Sequence, residues 1–404
     1  MRRKLPPALQ LRDFAFLWSA ILSLRFAENM VAVAVGWQVY AVHRNPLDLG
    51  LIGLAEFVPL PLLALPAGQL SDRFPRRLVL VATIAGLLLA VTLHGATALW
   101  PFLALALATG VANAIGWPAY GALTPEIVPP ELLPGAMALR SIASQIAIVT
   151  GPAVGGLLFA LRPELVYGVA VGLFAVAFVG VTAVRTQTVE RGAPPDFADL
   201  VAGVRFVLRT RMLLGAIGLD LFAVLFGGAV ALLPVFARTI LDVGPAGLGV
   251  LRSAPAVGAL CAAVMLTRRP LRLPAGRTLL VVVAVFGACM VVFGFSRWFP
   301  LSLAALAVSG FADMISVNIR STTVGLVTPN ALRGRVSAVE MVFVSASNEL
   351  GAFESGVAAA LVGTVTAVVA GGVATIGVAV SWARLFPSLA GMRRLEELRP
   401  ATGE

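Results

Sequence analysis

Long apolar runs separated by short polar stretches extend from one end of the chain to the other. Most of the runs are about 20 residues long, which is the length an α-helix needs to cross the hydrocarbon core of a bilayer. This alternation predicts an all-α polytopic membrane protein with twelve transmembrane helices, here numbered spans 1 to 12. They are predicted at residues 14–41, 48–70, 78–97, 99–121, 136–161, 164–184, 212–238, 245–267, 277–296, 298–320, 337–360 and 363–386.

The longest polar stretch, residues 185–211, divides the spans into two sets of six. Its second part has the pattern of a short amphipathic helix lying on a membrane surface. We therefore expect an N-terminal six-helix bundle at 1–184 and a cytoplasmic linker at 185–211. A C-terminal six-helix bundle with a short cytoplasmic tail is expected at 212–404.

Similar residues recur in the two halves about 200 positions apart. Gly110-Val-Ala-Asn113-Ala-Ile resembles Gly310-Phe-Ala-Asp313-Met-Ile, and Leu49-Gly50 aligns with Leu248-Gly249. Matches that agree on half the chain length indicate two pseudo-symmetric bundles repeated in the same sense. Such bundles predict a transporter that rocks about a binding site on the axis between them.

Composition and charge narrow the class of protein. Hydrophobic residues make up 59% of the chain and charged residues 12%, whereas a soluble domain has about 25% charged residues. This balance excludes a soluble globular enzyme, a disordered chain and a dedicated nucleic-acid-binding protein.

The net charge of +10 is a signal of membrane topology. If both termini are cytoplasmic, most basic residues fall on inner segments, and outer loops hold only Arg44, Arg162, Arg238 and Arg297. An excess of arginine on the inner side is typical of cytoplasmic loops. We expect a multi-pass protein of a bacterial-type cytoplasmic membrane, with both termini inside.

Residues that hold metals or perform nucleophilic catalysis are scarce. The two cysteines, Cys261 and Cys289, lie in apolar runs, and the two histidines, His43 and His94, are far apart in sequence. We therefore expect no metal, no cofactor and no histidine-dependent triad. A phosphate-binding P-loop sequence is also missing, so the chain offers no route to ATP-driven transport.

The loop between spans 2 and 3 has the sequence Gly68-Gln-Leu-Ser-Asp72-Arg73-Phe-Pro-Arg76-Arg77. It resembles the inner-loop signature of the major facilitator superfamily, G-x-L-a-D-r-x-G-r-r, with proline in place of the second glycine. The resemblance implies an inner gate, and we expect Asp72 and Arg76 to join Glu126 in a latch against the start of span 11. The alternative is an ordinary basic inner loop.

Span 5 contains Gly151-Pro152-Ala-Val-Gly155-Gly156, which resembles the G-P-x-x-G-G element of antiporters and exporters in the same superfamily. Proline removes a backbone hydrogen bond, and glycines let a neighbouring helix approach closely. The resemblance favours export over uptake. Ordinary packing of small residues is the alternative explanation.

Three further stretches resemble the enterobactin-exporter-like branch, whose members are called transmembrane secretion effectors. They begin at Trp117-Pro-Ala-Tyr120, Leu251-Arg252-Ser-Ala-Pro255 and Asn348-Glu349. This resemblance implies a monomeric secondary active transporter that works by alternating access and exports a small organic molecule, such as a drug or siderophore, in exchange for protons. Its partners would be that molecule, protons and the lipid bilayer, without nucleic acid.

Ionisable residues inside spans are costly and therefore indicate function. The acids are Glu28, Glu56, Asp220, Asp313, Glu340, Glu349 and Glu354, and the bases are Arg25, Arg140, Arg252 and Arg320. Because acids outnumber bases, some carboxylates have no obvious partner. An unpaired buried carboxylate can bind and release a proton as its exposure changes.

Spans 1, 4, 7 and 10 line the cavity in this superfamily, and the resemblance carries that role to their polar residues. The substrate-cavity candidates are Arg25, Asn113, Trp117 and Asn318, and the proton-coupling candidates are Glu28, Asp313 and Asp220. Two alternatives stay open. Arg25 and Glu28, three residues apart on one helix face, can neutralise each other, and Asp313 can pair with Arg320.

Arg140 in span 5 and Glu340 in span 11 occupy matching places in the repeat. Opposite charges at such positions predict an inter-domain pair when the inner side closes. The alternative is that each residue pairs locally.

Other functions remain in competition. Proton-coupled uptake and lipid translocation would use the same fold. A polytopic membrane enzyme is disfavoured because no nucleophile and base are clustered, and a sensor would need a further soluble domain.

Overall fold

The computed structural model describes residues 6–63, 98–184, 197–269, 273–393 and 398. In this part of the chain the secondary structure is helical. In the first half, spans 1, 2, 4, 5 and 6 are the helices Arg12–His43, Pro46–Phe57, Trp100–Ile127, Leu133–Leu161 and Pro163–Ala183. The linker helix is Phe197–Arg209, and spans 7 to 12 are Arg211–Gly227, Gly244–Arg268, Ala275–Phe295, Phe299–Val327, Arg333–Val362 and Thr364–Leu385.

The predicted all-α fold is confirmed. Among the described residues, nine helical segments are long and apolar enough to cross a membrane, which is consistent with twelve spans. Spans 4 and 11 are not among the nine, although their helices have 28 and 30 residues. Predicted span 3, at 78–97, lies outside the described residues.

The described helices belong to two compact units. Unit 1 consists of Met1–His43, Ala55–Pro194 and Val243–Ser253, and unit 2 of Arg44–Leu54, Pro195–Asp242 and Ala254–Glu404. Neither unit is one continuous piece of chain. The first part of span 2 belongs to unit 2, and the first part of span 8 belongs to unit 1.

In unit 1, span 1 packs against spans 5 and 6. Small residues on span 1, such as Ala20 and Ala27, meet Phe174 of span 6 in a buried apolar cluster. The Tyr167 hydroxyl donates a hydrogen bond of 2.6 Å to the Gln38 side chain. These contacts hold the polar residues of span 1 in a fixed orientation.

In unit 2, a large apolar cluster joins spans 7, 9, 10 and 12. The Trp382 indole of span 12 donates a hydrogen bond of 2.9 Å to the Gly215 carbonyl of span 7. The linker helix packs on the beginning of span 11, where Val207 meets Val336 and Val339. Spans 7, 10 and 11, which carry the acidic site described below, are thereby anchored in one core.

Span 7 differs from the prediction. We expected one continuous helix over 212–238, but the regular helix ends at Gly227, and the chain continues to Ile240 through short helical turns of changed pitch. Two adjacent glycines followed by Pro234 explain the break, because both residue types interrupt the helical hydrogen-bond pattern. The Ser355 hydroxyl of span 11 donates a hydrogen bond of 3.3 Å to the Gly228 carbonyl.

Candidate functional site

The most deeply buried charge cluster of the described residues lies in unit 2, around Arg320 of span 10. Its side chain is only 6% exposed and forms an ion pair with Asp220 of span 7. The guanidinium Nε also lies 3.7 Å from a carboxylate oxygen of Glu340, on span 11. One arginine therefore connects three spans through two carboxylates.

This arrangement decides one alternative left open by the sequence. We considered Asp313 as a structural partner of Arg320, two helical turns away. In the structure, Arg320 pairs with Asp220 and Glu340 instead. Among the described residues, the Asp313 carboxylate forms no hydrogen bond and no ion pair.

Asp313 and Asp220 face the same small cavity. Its lining consists of Asp220, Ala223, Val224, Val282, Val283, Phe286, Asp313 and Ser316, and its volume is about 10 Å³. A cavity needs roughly 10–15 Å³ to hold one water molecule. The space is about the size of one water molecule, and it is too small for an organic cargo.

The charges of this cluster do not balance. Asp220 and Glu340 bring two carboxylates to a single guanidinium, and Asp313 adds a third carboxylate on the cavity that Asp220 also lines. Arginine stays protonated in proteins, and net charge away from water is costly. The described part of this cluster therefore has more carboxylates than cations to neutralise them.

In unit 1, Arg25 and Glu28 form an ion pair of 3.0 Å, with side chains 24% and 19% exposed. Asn29 donates a hydrogen bond of 2.8 Å to the Arg25 carbonyl. The alternative of a self-neutralising pair on span 1 thus describes the observed contact. Glu28 differs from Asp313 in having a cation beside it.

Arg140 and Glu340 each have a partner inside their own unit. Arg140 donates a hydrogen bond of 2.9 Å to Thr124, a fully buried side chain of span 4. Glu340 lies beside Arg320. A pair between Arg140 and Glu340 stays a prediction for another state of the transport cycle.

The glycines of the span 5 motif are packing positions within unit 1. A Cβ atom at Gly151 would lie 2.9 Å from the Cβ of Asn29, and one at Gly155 would lie 2.7 Å from the Cα of Met30, both on span 1. At Gly156, a Cβ would lie 2.9 Å from the Cα of Gly249 on span 8. The motif therefore lets spans 1 and 8 pack closely against the backbone of span 5.

Unit 2 contains the repeat-related version of the last contact. A Cβ at Gly356 of span 11 would lie 2.8 Å from the Cα of Gly50 on span 2. Gly50 matches Gly249 and Gly156 matches Gly356 when the halves are aligned about 200 residues apart. The internal repeat seen in the sequence is therefore also present in the packing.

The remaining predicted residues are placed only in part. The inner-gate residues Gly68, Asp72, Arg73, Arg76 and Arg77 and the Trp117 side chain lie outside what the structure describes. Asn113, Glu126 and Asn318 are each partly buried. Sequence reasoning missed the linking position of Arg320, and it missed Ser316, a 5% exposed residue of the cavity lining. Their spacing from Asp313, on one face of span 10, was the available signal.

Comparison with known proteins also indicates a transporter. A family model described as transmembrane secretion effector matches residues 5–394. The enterobactin exporter EntS of Shigella boydii serotype 18 is 28% identical over 337 residues, which cover 79% of this chain and 78% of that protein. A Na⁺, Li⁺, K⁺/H⁺ antiporter of Planococcus maritimus is 25% identical over 310 residues, covering 67% and 72%.

Among solved structures, a bacterial homologue of the human lysosomal transporter Spinster, in an inward-facing and occupied conformation, superimposes with a TM-score of 0.73. The identity is 15%, and the match covers 97% of this chain and 99% of that one. This likeness shows the major facilitator fold. The expectation of a multi-pass transporter rather than an enzyme is confirmed. Since the family model spans nearly the whole chain, the protein belongs to the transmembrane secretion effector family of major facilitator superfamily transporters.

Proposed function

We propose that this transporter exports a small organic molecule, such as a drug or siderophore, in exchange for protons that enter the cell. The observation that carries the proposal is the Asp313 carboxylate, which faces a small cavity without an ion-pair partner among the described residues. A proton can neutralise this carboxylate, and its release restores the charge. Membership in a family with an exporter among its relatives supports the outward direction.

The three proton-coupling candidates then have different roles. Asp313 is the carboxylate that we expect to exchange a proton first, because no described cation stabilises its charge. Glu28 and Asp220 are already paired with Arg25 and Arg320, so a proton must displace a guanidinium to bind there. Arg25, Asn113, Trp117 and Asn318 remain our candidates for contacts with the cargo.

The working molecule is proposed to be a monomer in a bacterial cytoplasmic membrane, with both termini inside. Its domains would be an N-terminal bundle at 1–184, a linker at 185–211 and a C-terminal bundle at 212–404. During alternating access, the gate residues of 68–77 with Glu126, and the pair Arg140 and Glu340, would close the inner side.

A second candidate function is exchange of a monovalent cation for protons. The similarity to a cation/proton antiporter favours it, and so does the excess of carboxylates around Arg320. Carboxylate oxygens bind hard cations. Uptake by symport and lipid translocation have no specific supporting contact in the described residues.

Inside-out membrane vesicles with an acidic interior provide the test. In these vesicles, export by the protein moves cargo into the lumen, where it accumulates. Enterobactin and ethidium serve as trial cargoes. The antiporter candidate is tested in the same vesicles by adding NaCl, LiCl or KCl and following loss of the proton gradient with a pH-sensitive dye. We expect cargo accumulation that is abolished by Asp313→Asn and reduced less by Glu28→Gln.

Ser309→Ala is the matched control. Ser309 is a buried span 10 residue whose hydroxyl donates to its own helix backbone, 2.7 Å from the Leu306 carbonyl. Its variant should transport at the wild-type rate. Transport that persists unchanged in a folded Asp313→Asn protein would refute the assignment of the proton carrier. Proton release on salt addition without cargo accumulation would favour the cation antiporter instead.

A further inference from the structure

Arg320 is buried between carboxylates of two other spans, and this placement suggests a role beyond neutralising them. We propose that Arg320 is a positioning residue that changes partners when a proton reaches Asp220, and that it thereby converts proton binding into movement of span 7 relative to span 11. The proposal rests on the proton coupling proposed above and adds the residue through which that coupling acts.

Arg320 is shared between carboxylates on two other spans. Asp220 approaches from span 7, Glu340 from span 11, and Asp313 lies on the same face of span 10 two turns earlier. Span 9 contributes only apolar side chains to the adjoining cavity. A guanidinium that cannot lose its proton will follow whichever carboxylates remain charged.

The contact between Arg320 and Glu340 is not a rigid fork. The Nε atom is 3.7 Å from the Glu340 oxygen and completes no hydrogen bond in the described residues. A bidentate arginine pair with two parallel hydrogen bonds would be fixed more strongly. Electrostatic attraction without that geometry permits an exchange between neighbouring carboxylates.

The cavity gives a proton a path between Asp313 and Asp220. Both carboxylates line one cavity with room for about one water molecule. Ser316, a buried residue of span 10, also lines it. When the proton is on Asp313, Arg320 keeps Asp220 and Glu340. When it moves to Asp220, that ion pair is lost and Arg320 turns to Glu340.

A distance measurement tests this without any cargo. Spin labels are attached to Arg211→Cys at the beginning of span 7 and Ser337→Cys near the beginning of span 11, both exposed, in full-length protein whose native cysteines are replaced by alanine. Distances are recorded in lipid nanodiscs at roughly pH 8 and pH 5. We expect two distance populations whose ratio changes by up to about tenfold per pH unit, the limit set by one linked proton.

The variants separate a positioning role from a structural one. Arg320→Lys keeps the charge and should keep the pH response. Asp220→Asn should show the low-pH distances at both pH values. The double variant Asp220→Asn with Arg320→Gln removes one charge of each sign, so it should fold but show no pH response, while Ser309→Ala should behave as the wild type.

Equal distances at both pH values in the wild type would overturn the proposal, as would a pH response that persists in the double variant. Because no cargo is involved, either result is distinct from a negative vesicle assay. Proton-driven export without the distance change would sink the role of Arg320 alone. The distance change without export would sink the proposed function alone.

Discussion

At the residue scale, Tyr167 and Gln38 illustrate how one hydrogen bond holds two spans together inside a membrane protein. The hydroxyl of Tyr167 and the side-chain oxygen of Gln38 are both buried and 2.6 Å apart. A buried acceptor that loses its donor costs about 1–3 kcal/mol. Such pairs fix span 1, and with it the ion pair of Arg25 and Glu28.

Removing this hydroxyl should therefore destabilise the protein. Tyr167→Phe is expected to lower the free energy of unfolding by about 1–2 kcal/mol, measured as a reduced thermal midpoint in detergent. Tyr40→Phe is the matched control, because Tyr40 is also buried in span 1 but its hydroxyl has no partner among the described residues. Equal effects of the two substitutions would contradict the role of the hydrogen bond.

The buried arginine makes a second prediction at this scale. Asp220→Asn removes the charge that neutralises Arg320, and breaking a buried pair by removing one partner costs about 3–5 kcal/mol. Neutralising both residues should cost clearly less. Thermal unfolding of the single variant, of Arg320→Gln and of the double variant gives the coupling energy, and simple additivity would argue against a direct interaction.

The sequence predicted the candidate charges but could not determine their pairing. It singled out Glu28, Asp220 and Asp313 because ionisable residues in spans are rare. Whether a carboxylate has a partner depends on contacts such as Asp220 with Arg320, which join residues far apart in the chain. Only the pair of Arg25 and Glu28, three residues apart on one helix, could be anticipated from local spacing.

At the element scale, backbone packing at glycine determines how closely the spans approach. Gly156 and Gly249 lie on spans 5 and 8, and a side chain at either would overlap backbone atoms of the other helix. Glycine also affects the helix itself. Span 7 breaks after Gly227, because residues without a β-carbon or an amide hydrogen weaken a helix locally. The span 5 motif was quoted from the sequence, whereas the break in span 7 was not predicted from its glycines.

Adding a methyl group at the contact between spans 5 and 8 should destabilise the protein, whereas adding one at a position with open space should not. Gly156→Ala is expected to destabilise unit 1 by about 1–3 kcal/mol, since backbone cannot move aside as a flexible side chain can. Gly172→Ala in span 6 is the control, because nothing lies within 4 Å of a Cβ there. That substitution should be neutral or stabilising by up to about 1 kcal/mol, the helix-propensity gain of alanine. Thermal midpoints in detergent distinguish the two outcomes.

At the scale of the whole molecule, hydropathy and charge were sufficient for the fold class, and motifs were sufficient for the family. The composition of the two units was not foreseen. Sequence placed the boundary in the linker, whereas unit 1 also includes Val243–Ser253 and unit 2 also includes Arg44–Leu54. Hydropathy identifies spans but contains no information about which spans meet, so this exchange could only come from the structure.

Each unit includes a segment from the other half of the sequence, and this predicts how the protein behaves when it is produced as two fragments. If residues 1–194 and 195–404 are produced as separate fragments, a tag on the first should retain the second through purification in mild detergent. Part of unit 1 is supplied by the second fragment and part of unit 2 by the first. Gly156→Leu should reduce the recovered partner several-fold, and Gly168→Leu, at a position with open space, should not. Fragments that separate freely would contradict the assignment of the exchanged segments.

The discontinuous units also constrain the order in which the protein can fold during synthesis. Unit 1 lacks its last segment until residue 253 has left the ribosome, well after the linker and span 7. The first part of span 2 is synthesised early, but its packing partner Gly356 is synthesised near the end of the chain. For most of translation, these helices therefore lie in the bilayer without the partner helix that packs against their glycines. Domains, in contrast, usually fold as they emerge. A ribosome that stops before span 11 would leave the nascent chain without a finished second unit, and cellular quality control would meet those exposed surfaces.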